Sequence, residues 1–326
     1  MSDIIERDKQ KMKTIVIIGL GNIGKRHLQA VLGLHLDLVI YCVDVAKPDF
    51  YQLNIENEGN IVFVESIRNV PPIIDLAIIA TSASVRRRVF DELIDNSDVK
   101  KIIFEKVLFQ KVEDYLYVDR ELKSKQIKAW IDCPRRINPS WKKIKELLKD
   151  DRDFSFIVAG GNWGLAGNTI HYLDVIKWLI GNSKLEISNF VQYGEPFESK
   201  RLGYKEICGT VEGHGGSCRY FSISSTPNSM KTQIYIISEN RRIVLLDDES
   251  EMVIEDKHDE WLERHEKMSP TYVSETTKIV LSELDKQNDC ELISWADSMD
   301  LHLMWINTLS SVFNAGGLEK NICPIT

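Results

Sequence analysis

Residues 14–27 read TIVIIGLGNIGKRH, a β-branched run that breaks into glycines and then turns polar. Gly19, Gly21 and Gly24 stand in the GxGxxG spacing. Each has a separate task in a strand-to-helix turn that receives a dinucleotide. The first permits the tight turn, the second lets backbone approach a pyrophosphate, and the third lets helix and strand pack closely. A helix opening at Asn22 and Ile23 offers N–H groups and a positive dipole end to phosphate. The spacing alone is a weak signal. It gains weight because it follows a buried strand, opens a helix and lies at the first βα turn. Twenty residues beyond Gly24, the run LVIYCVDV (38–45) carries Asp44. A carboxylate there accepts hydrogen bonds from the adenosine ribose and repels a 2′-phosphate, so NAD is expected before NADP. Lys47 is close enough to soften that preference.

Further short runs rich in Ile, Val and Phe lie at 36–45, 61–66, 75–82, 101–106 and 127–133. They read as strands buried on both faces. Helical spacing at 22–33, 84–95 and 111–125 separates them. Strand–helix alternation predicts a doubly wound parallel sheet, an α/β Rossmann domain over residues 1–134. The pattern changes after CPRRINPSW (133–141). A helix over 139–150, a strand at 154–160 and a helix over 168–180 precede strand-like runs at 184–193, 205–212, 218–225, 231–238 and 241–247. Residues 135–326 are therefore expected to form an α+β domain on a large, mostly antiparallel, open-faced sheet. Helices over 270–287 and 293–314 are placed to pack back against either domain. The acidic stretch 247–260, DDESEMVIEDKHDE, reads as a solvated hairpin edge.

Bulk properties exclude several classes. A chain of 326 residues fits two domains, with 43% hydrophobic and 28% charged residues typical of a globular protein. A net charge of −8 argues against a nucleic-acid partner. The six cysteines, Cys42, Cys133, Cys208, Cys218, Cys290 and Cys323, contain no CxxC pair. Reduced thiols are expected, with no disulfide framework and no metal site. The opening MSDIIERDKQKMK is too polar for a signal peptide. No apolar run approaches the ~20 residues that span a bilayer. The expectation is a cytoplasmic protein without a membrane partner.

Chemistry is concentrated in three places. The fourth strand ends in IIATSAS (78–84), giving Thr81 and Ser82, and the fifth ends in Glu105–Lys106. The stretch GGNWGLAGNTIHYLD (160–174) is glycine-rich, then amphipathic, with His171 and Asp174 on one helical face. Trp163 could wall a substrate site or pack in the core. Arg135 and Arg136, at the junction of the halves, suit an anionic substrate because clefts form there. Arg86, Arg87 and Arg88 read as a solvated helix face.

This succession resembles the glucose–fructose oxidoreductase/inositol dehydrogenase/MocA family across essentially the whole chain from about residue 13. The resemblance implies that Gly19, Gly21, Gly24 and Asp44 bind the dinucleotide, with Thr81 and Ser82 beside its pyrophosphate and nicotinamide ribose. It implies that Glu105 approaches that ribose, Lys106 reaches the reacting oxygen, and His171 transfers the proton. Two departures stand out. Val107 replaces a usual proline, and Gly167 stands where many members carry an aspartate four residues before the histidine. Asn168, also a candidate substrate contact, suits the N-cap of the following helix. Asp174 is expected to orient His171 from the other side of the turn, completing a catalytic set with Lys106. The function implied is an NAD(P)-dependent oxidoreductase acting on a secondary alcohol or ketone of a sugar-like molecule. NWGLAGNTIHYLD resembles a branch linked to surface-polysaccharide and nonulosonic-acid metabolism, implying an anionic or nucleotide-linked sugar. A biliverdin-reductase-like enzyme and a non-catalytic NAD-binding sensor are the alternatives. The resemblance also implies a homodimer or homotetramer through the second-domain sheet.

Overall fold

The computed structural model describes residues 12–34, 37–47, 60–246, 250–270, 272–315 and 322–326. Strand β1 (Thr14–Ile18) enters helix α1 (Asn22–Leu32), followed by β2 (Val39–Val43), β3 (Ile61–Val64), β4 (Ile73–Ile74) and β5 (Leu76–Ile79). Helix α2 (Ala83–Asn96), β6 (Asp98–Val99), β7 (Lys101–Phe104), α3 (Val112–Ser124) and β8 (Lys128–Ile131) complete this part. Every residue of β5 and β7 is buried, as strands covered by helices on both faces must be. Strands β3-β2-β1-β5-β7-β8 lie parallel in that order. This is the expected doubly wound sheet. Its order reverses between β1 and β5, where a crevice opens outside the carboxyl ends of the strands.

Helix α4 (Pro139–Leu148) follows, started by Asn138, whose side chain accepts from the Ser140 N–H. Then come β9 (Phe154–Gly161), α5 (Leu165–Ile180), β10 (Glu186–Gln192), β11 (Phe197–Glu198), β12 (Lys205–Glu206) and β13 (Gly209–Gly215). Strands β14 (Cys218–Thr226), β15 (Met230–Ser238), β16 (Arg241–Leu246), β17 (Glu251–Asp256) and β18 (Glu263–Lys267) complete the second sheet. Its order is β10-β13-β14-β9-β15-β16-β17-β18, antiparallel throughout except where β14 meets β9. Burial alternates along β9, with Phe154, Phe156 and Val158 turned into the core shared with α4 and α5.

The chain closes on α6 (Val273–Gln287), β19 (Ile293–Ser294) and α7 (Trp295–Ala315). Leu281 and Leu284 of α6 pack with Leu28 and Val31 of α1, and β19 adds an antiparallel strand beside β8. Residues late in sequence thus finish the first sheet. None of the described helices is long and apolar enough to cross a membrane.

Four expectations need correction. The run 205–212 is two strands, because residues 207–208 leave one sheet before β13 joins the other. The acidic stretch is not the sheet edge: β17 is paired on both sides and β18 lies outside it, while 247–249 fall outside the described residues. The helix expected from 293 begins after a two-residue strand. Helix α5 starts at Leu165 rather than 168, for a reason that lies in the site.

Candidate active site

The glycine turn has the expected build. Gly19 sits at φ +90°, and a Cβ on Gly24 would lie 1.8 Å from the Gly19 carbonyl oxygen, so neither tolerates a side chain. Gly21 differs. A Cβ there would meet nothing within 4 Å, so the turn is open on that side. Gly21 is the N-cap of α1, and no side chain caps the helix. Asp44 follows β2, and its Oδ2 accepts the Leu20 N–H at 2.5 Å, tying the strand end to the turn. An open cradle, an uncapped helix and an adjacent carboxylate fit a dinucleotide.

Beyond the turn lies a cavity of about 480 Å³. Ile23 of α1 lines it together with Thr81, Glu105 and Lys106, which follow the ends of β5 and β7, and with Arg135 and His171 from the chain beyond. Thr81 Oγ1 is buried without a hydrogen-bond partner, and Ser82 is the N-cap of α2. Lys106 donates to Asn168 Oδ1 at 2.7 Å and to the Gly167 carbonyl at 3.1 Å. Burial pushes its pKa down, against the opposing effect of Glu105. His171 is held well below the ordinary imidazole range by burial, then by Lys106 and Arg135. The ring is therefore neutral at pH 7, and its Nδ1 has no partner. Arg135 lies over the Tyr172 and Trp141 rings, 4.6 and 5.8 Å from their centroids. The Lys106–Val107 peptide is cis.

Three expected roles change. Asn168 does not cap α5. Gly164 (φ +81°) is the N-cap, and Asn168 lies one turn in, holding Lys106 and donating to the Trp163 carbonyl at 2.8 Å. The helix starts early because Glu206 of β12 caps it from outside. Its Oε2 accepts the Ala166 N–H at 2.8 Å and its Oε1 the Gly167 N–H at 3.2 Å. Asp174 does not orient His171. It is fully buried, and both carboxylate oxygens accept from the Arg136 guanidinium, including Nε to Oδ2 at 3.3 Å. Trp163 is not among the cavity-lining residues. Its indole donates to the Ser224 carbonyl at 3.0 Å and packs edge-on against Tyr172.

Several residues of the site escaped the sequence reading. Arg86, expected in solvent, is 1% exposed and donates to the carbonyls of Thr81, Val107 and Leu108. Its neighbours behave as expected: Arg87 pairs with Asp91 and Asp114, and Arg88 is exposed. His27, one helical turn after Gly24, lies 3.3 Å from Glu105 Oε1 and 3.6 Å from Asp132 Oδ2. Its other nitrogen lies 2.9 Å from Thr277 Oγ1. Burial and the Glu105 carboxylate push Asp132 up, while His27 helps to hold Glu105 ionised. Arg201, from the loop between β11 and β12, reaches the cavity. In the same loop Tyr204 meets Ser84 Oγ at 2.6 Å, joining that loop to the start of α2. The only legible trace of these partners was the histidine three residues past the glycine motif.

No family model and no curated protein sequence matches the chain. Solved structures do. A super-repressor mutant of Gal80p from Saccharomyces cerevisiae is similar at 16% identity and a TM-score of 0.76, over 94% of this chain and 96% of that one. The UDP-N-acetylglucosamine 3-dehydrogenase GnnA from Acidithiobacillus ferrooxidans is similar at 12% identity and a TM-score of 0.69, over 93% and 98%. An oxidoreductase from Agrobacterium radiobacter, in complex with NAD+, L-tartaric acid and magnesium, is similar at 14% identity and a TM-score of 0.68, over 94% and 97%. The chain has the two-domain fold shared by these proteins, a doubly wound parallel sheet followed by a large, mostly antiparallel one.

Proposed function

We propose that the protein is an NAD-dependent oxidoreductase that exchanges hydride between nicotinamide and a secondary alcohol or ketone of an anionic, sugar-like molecule. The observation that carries this reading is the shared cavity, which Lys106 and His171 face together with Thr81 and Glu105 at the strand ends. Gly19, Gly21, Asn22, Ile23 and Gly24 would hold the pyrophosphate, Asp44 the adenosine ribose, and Thr81, Ser82 and Glu105 the nicotinamide half. A bound nicotinamide supplies the hydride acceptor or donor. The Lys106 ammonium stabilises negative charge on the substrate oxygen, and neutral His171 takes the hydroxyl proton. Arg201 adds positive charge beside Lys106 in the cavity, whereas Glu105 and Asp132 are engaged with His27. An anionic substrate answers that imbalance. Its charge would also raise the His171 pKa toward neutrality, so a competent base arrives with the substrate. The likeness to a sugar-nucleotide dehydrogenase and to a complex with NAD+ and a hydroxy acid supports the same class.

Tryptophan fluorescence tests the cofactor, since Trp141 lines the cavity. NADH should bind at least about tenfold tighter than NADPH, and Asp44→Ala should remove that preference. Absence of binding by either nucleotide refutes the reading. A second reading, an NAD-binding regulator without turnover, draws support from the likeness to Gal80p. NADH binding without oxidation or reduction of any sugar acid would favour it.

A second copy of the chain is proposed to cover the open face of the second sheet. Ile237 of β15 and Tyr220 of β14 are 43% and 40% exposed there. Sedimentation at micromolar concentration should give a dimer or tetramer, and a monomer would refute this.

A further inference from the structure

The side-chain space of Gly167 is bounded by a carboxylate from β12 and by the carbonyl of the last residue. A Cβ on Gly167 would lie 3.0 Å from Glu206 Oε1 and 3.0 Å from the Thr326 carbonyl oxygen. A Cβ on Gly164 would lie 3.1 Å from the same Oε1. The Glu206 carboxylate thus packs closely on both glycines, alongside Asn168 Nδ2 at Gly164 and the Thr326 carbonyl at Gly167. Glu206 is not among the residues that line the cavity. Its reach is indirect. It binds the N–H groups of Ala166 and Gly167, and the next groups along this turn, the Gly167 carbonyl and the Asn168 amide, hold Lys106.

We infer that Glu206 is a positioning residue for Lys106, fixing the first turn of α5 that aims the ammonium and supplying it with a counter-charge. The inference rests on the role given to Lys106 above. Two observations support it independently of that role. Its carboxylate accepts from the Ala166 and Gly167 N–H groups, and these bonds together with Lys106 favour its charged form against a burial that leaves its pKa raised overall. The helix also lacks a capping side chain of its own, so nothing local replaces Glu206.

Other groups act on Lys106 and would remain in a Glu206 variant. Glu105 and Asp132 favour its charged form, whereas Arg201 opposes it. Cys133, His171 and His302 also face it; the last two are imidazoles whose own pKa values are lowered by its charge. The comparison of variants therefore isolates one carboxylate against a constant background.

The test measures Lys106 directly, by competitive labelling of the whole protein with acetic anhydride across pH, read by mass spectrometry. In Glu206→Gln the ammonium loses one opposite charge, a smaller influence than Glu105, so the labelling midpoint should fall. In the double variant Glu206→Ala/Gly167→Asp a carboxylate returns from the helix side, and the midpoint should recover toward the original. Gly167→Asp alone would crowd two carboxylates and fold less well. An unchanged midpoint in Glu206→Gln overturns the inference, as does a folded double variant whose midpoint stays low. If neither variant folds, Glu206 is a residue of the fold and the positioning role is wrong. Labelling needs neither cofactor nor substrate, so a protein that fails to bind NADH defeats the proposed function without deciding this result. Where turnover is measurable, the alkaline limb of kcat/KM should move down with the midpoint.

Discussion

Two glycine turns of the molecule, Gly19–Gly24 and Gly164–Gly167, use their missing side chains differently. In the first, backbone packs on backbone within six residues and Gly21 is left facing open space. In the second, the carboxylate of Glu206, some forty residues further along the chain, packs closely on both Gly164 and Gly167. An absent side chain can thus make room for a ligand or for another part of the protein. Spacing in the sequence distinguishes these only when the whole device is local.

The sharpest way to break this contrast is a pair of alanine substitutions in the first turn. Gly24→Ala drives a methyl into the Gly19 carbonyl and should cost about 3 kcal/mol or more, read from the denaturant midpoint. Gly21→Ala should leave stability within about 0.5 kcal/mol yet weaken NADH, because its methyl enters only the open cradle. Normal stability in the first variant, or unaltered NADH affinity in the second, would end the distinction. A smaller effect sharpens the other turn. Asp174→Asn leaves Arg136 without its buried counter-charge and should cost about 2 kcal/mol, less than the ~3–5 kcal/mol of a fully broken buried pair because the asparagine oxygen can still accept from the guanidinium. The Lys106 labelling midpoint should not move in this variant. A shift would show that Asp174 acts on the site after all.

Legibility followed locality. The first sheet was readable because β1, β5 and β7 are short apolar runs with helices between them, an alternation that calls for a parallel sheet. Gly19, Gly21, Gly24 and Asp44 were readable because their spacing encodes the turn. Asn168 was misassigned for the opposite reason. It had the chemistry of a cap, but the cap arrived from β12, which freed its amide to hold Lys106. Arg86 belongs to a run of three arginines, and only the fold reveals that it faces inward onto three carbonyls. Asp174 looked like a partner of His171 at helical spacing. Arg136 claimed it across the interior, and a buried carboxylate pairs with the nearest cation rather than with a neutral ring.

The pairing of Ile293 and Ser294 with β8 has a consequence for synthesis on the ribosome. Strand β8 is made early, and its outer edge stays bare until the last part of the chain emerges. During that interval, Trp130 and Ile131 offer unsatisfied backbone groups to any other extended chain. The nascent protein is most exposed to mispairing while its second half is being translated, and β19 ends that exposure when it docks.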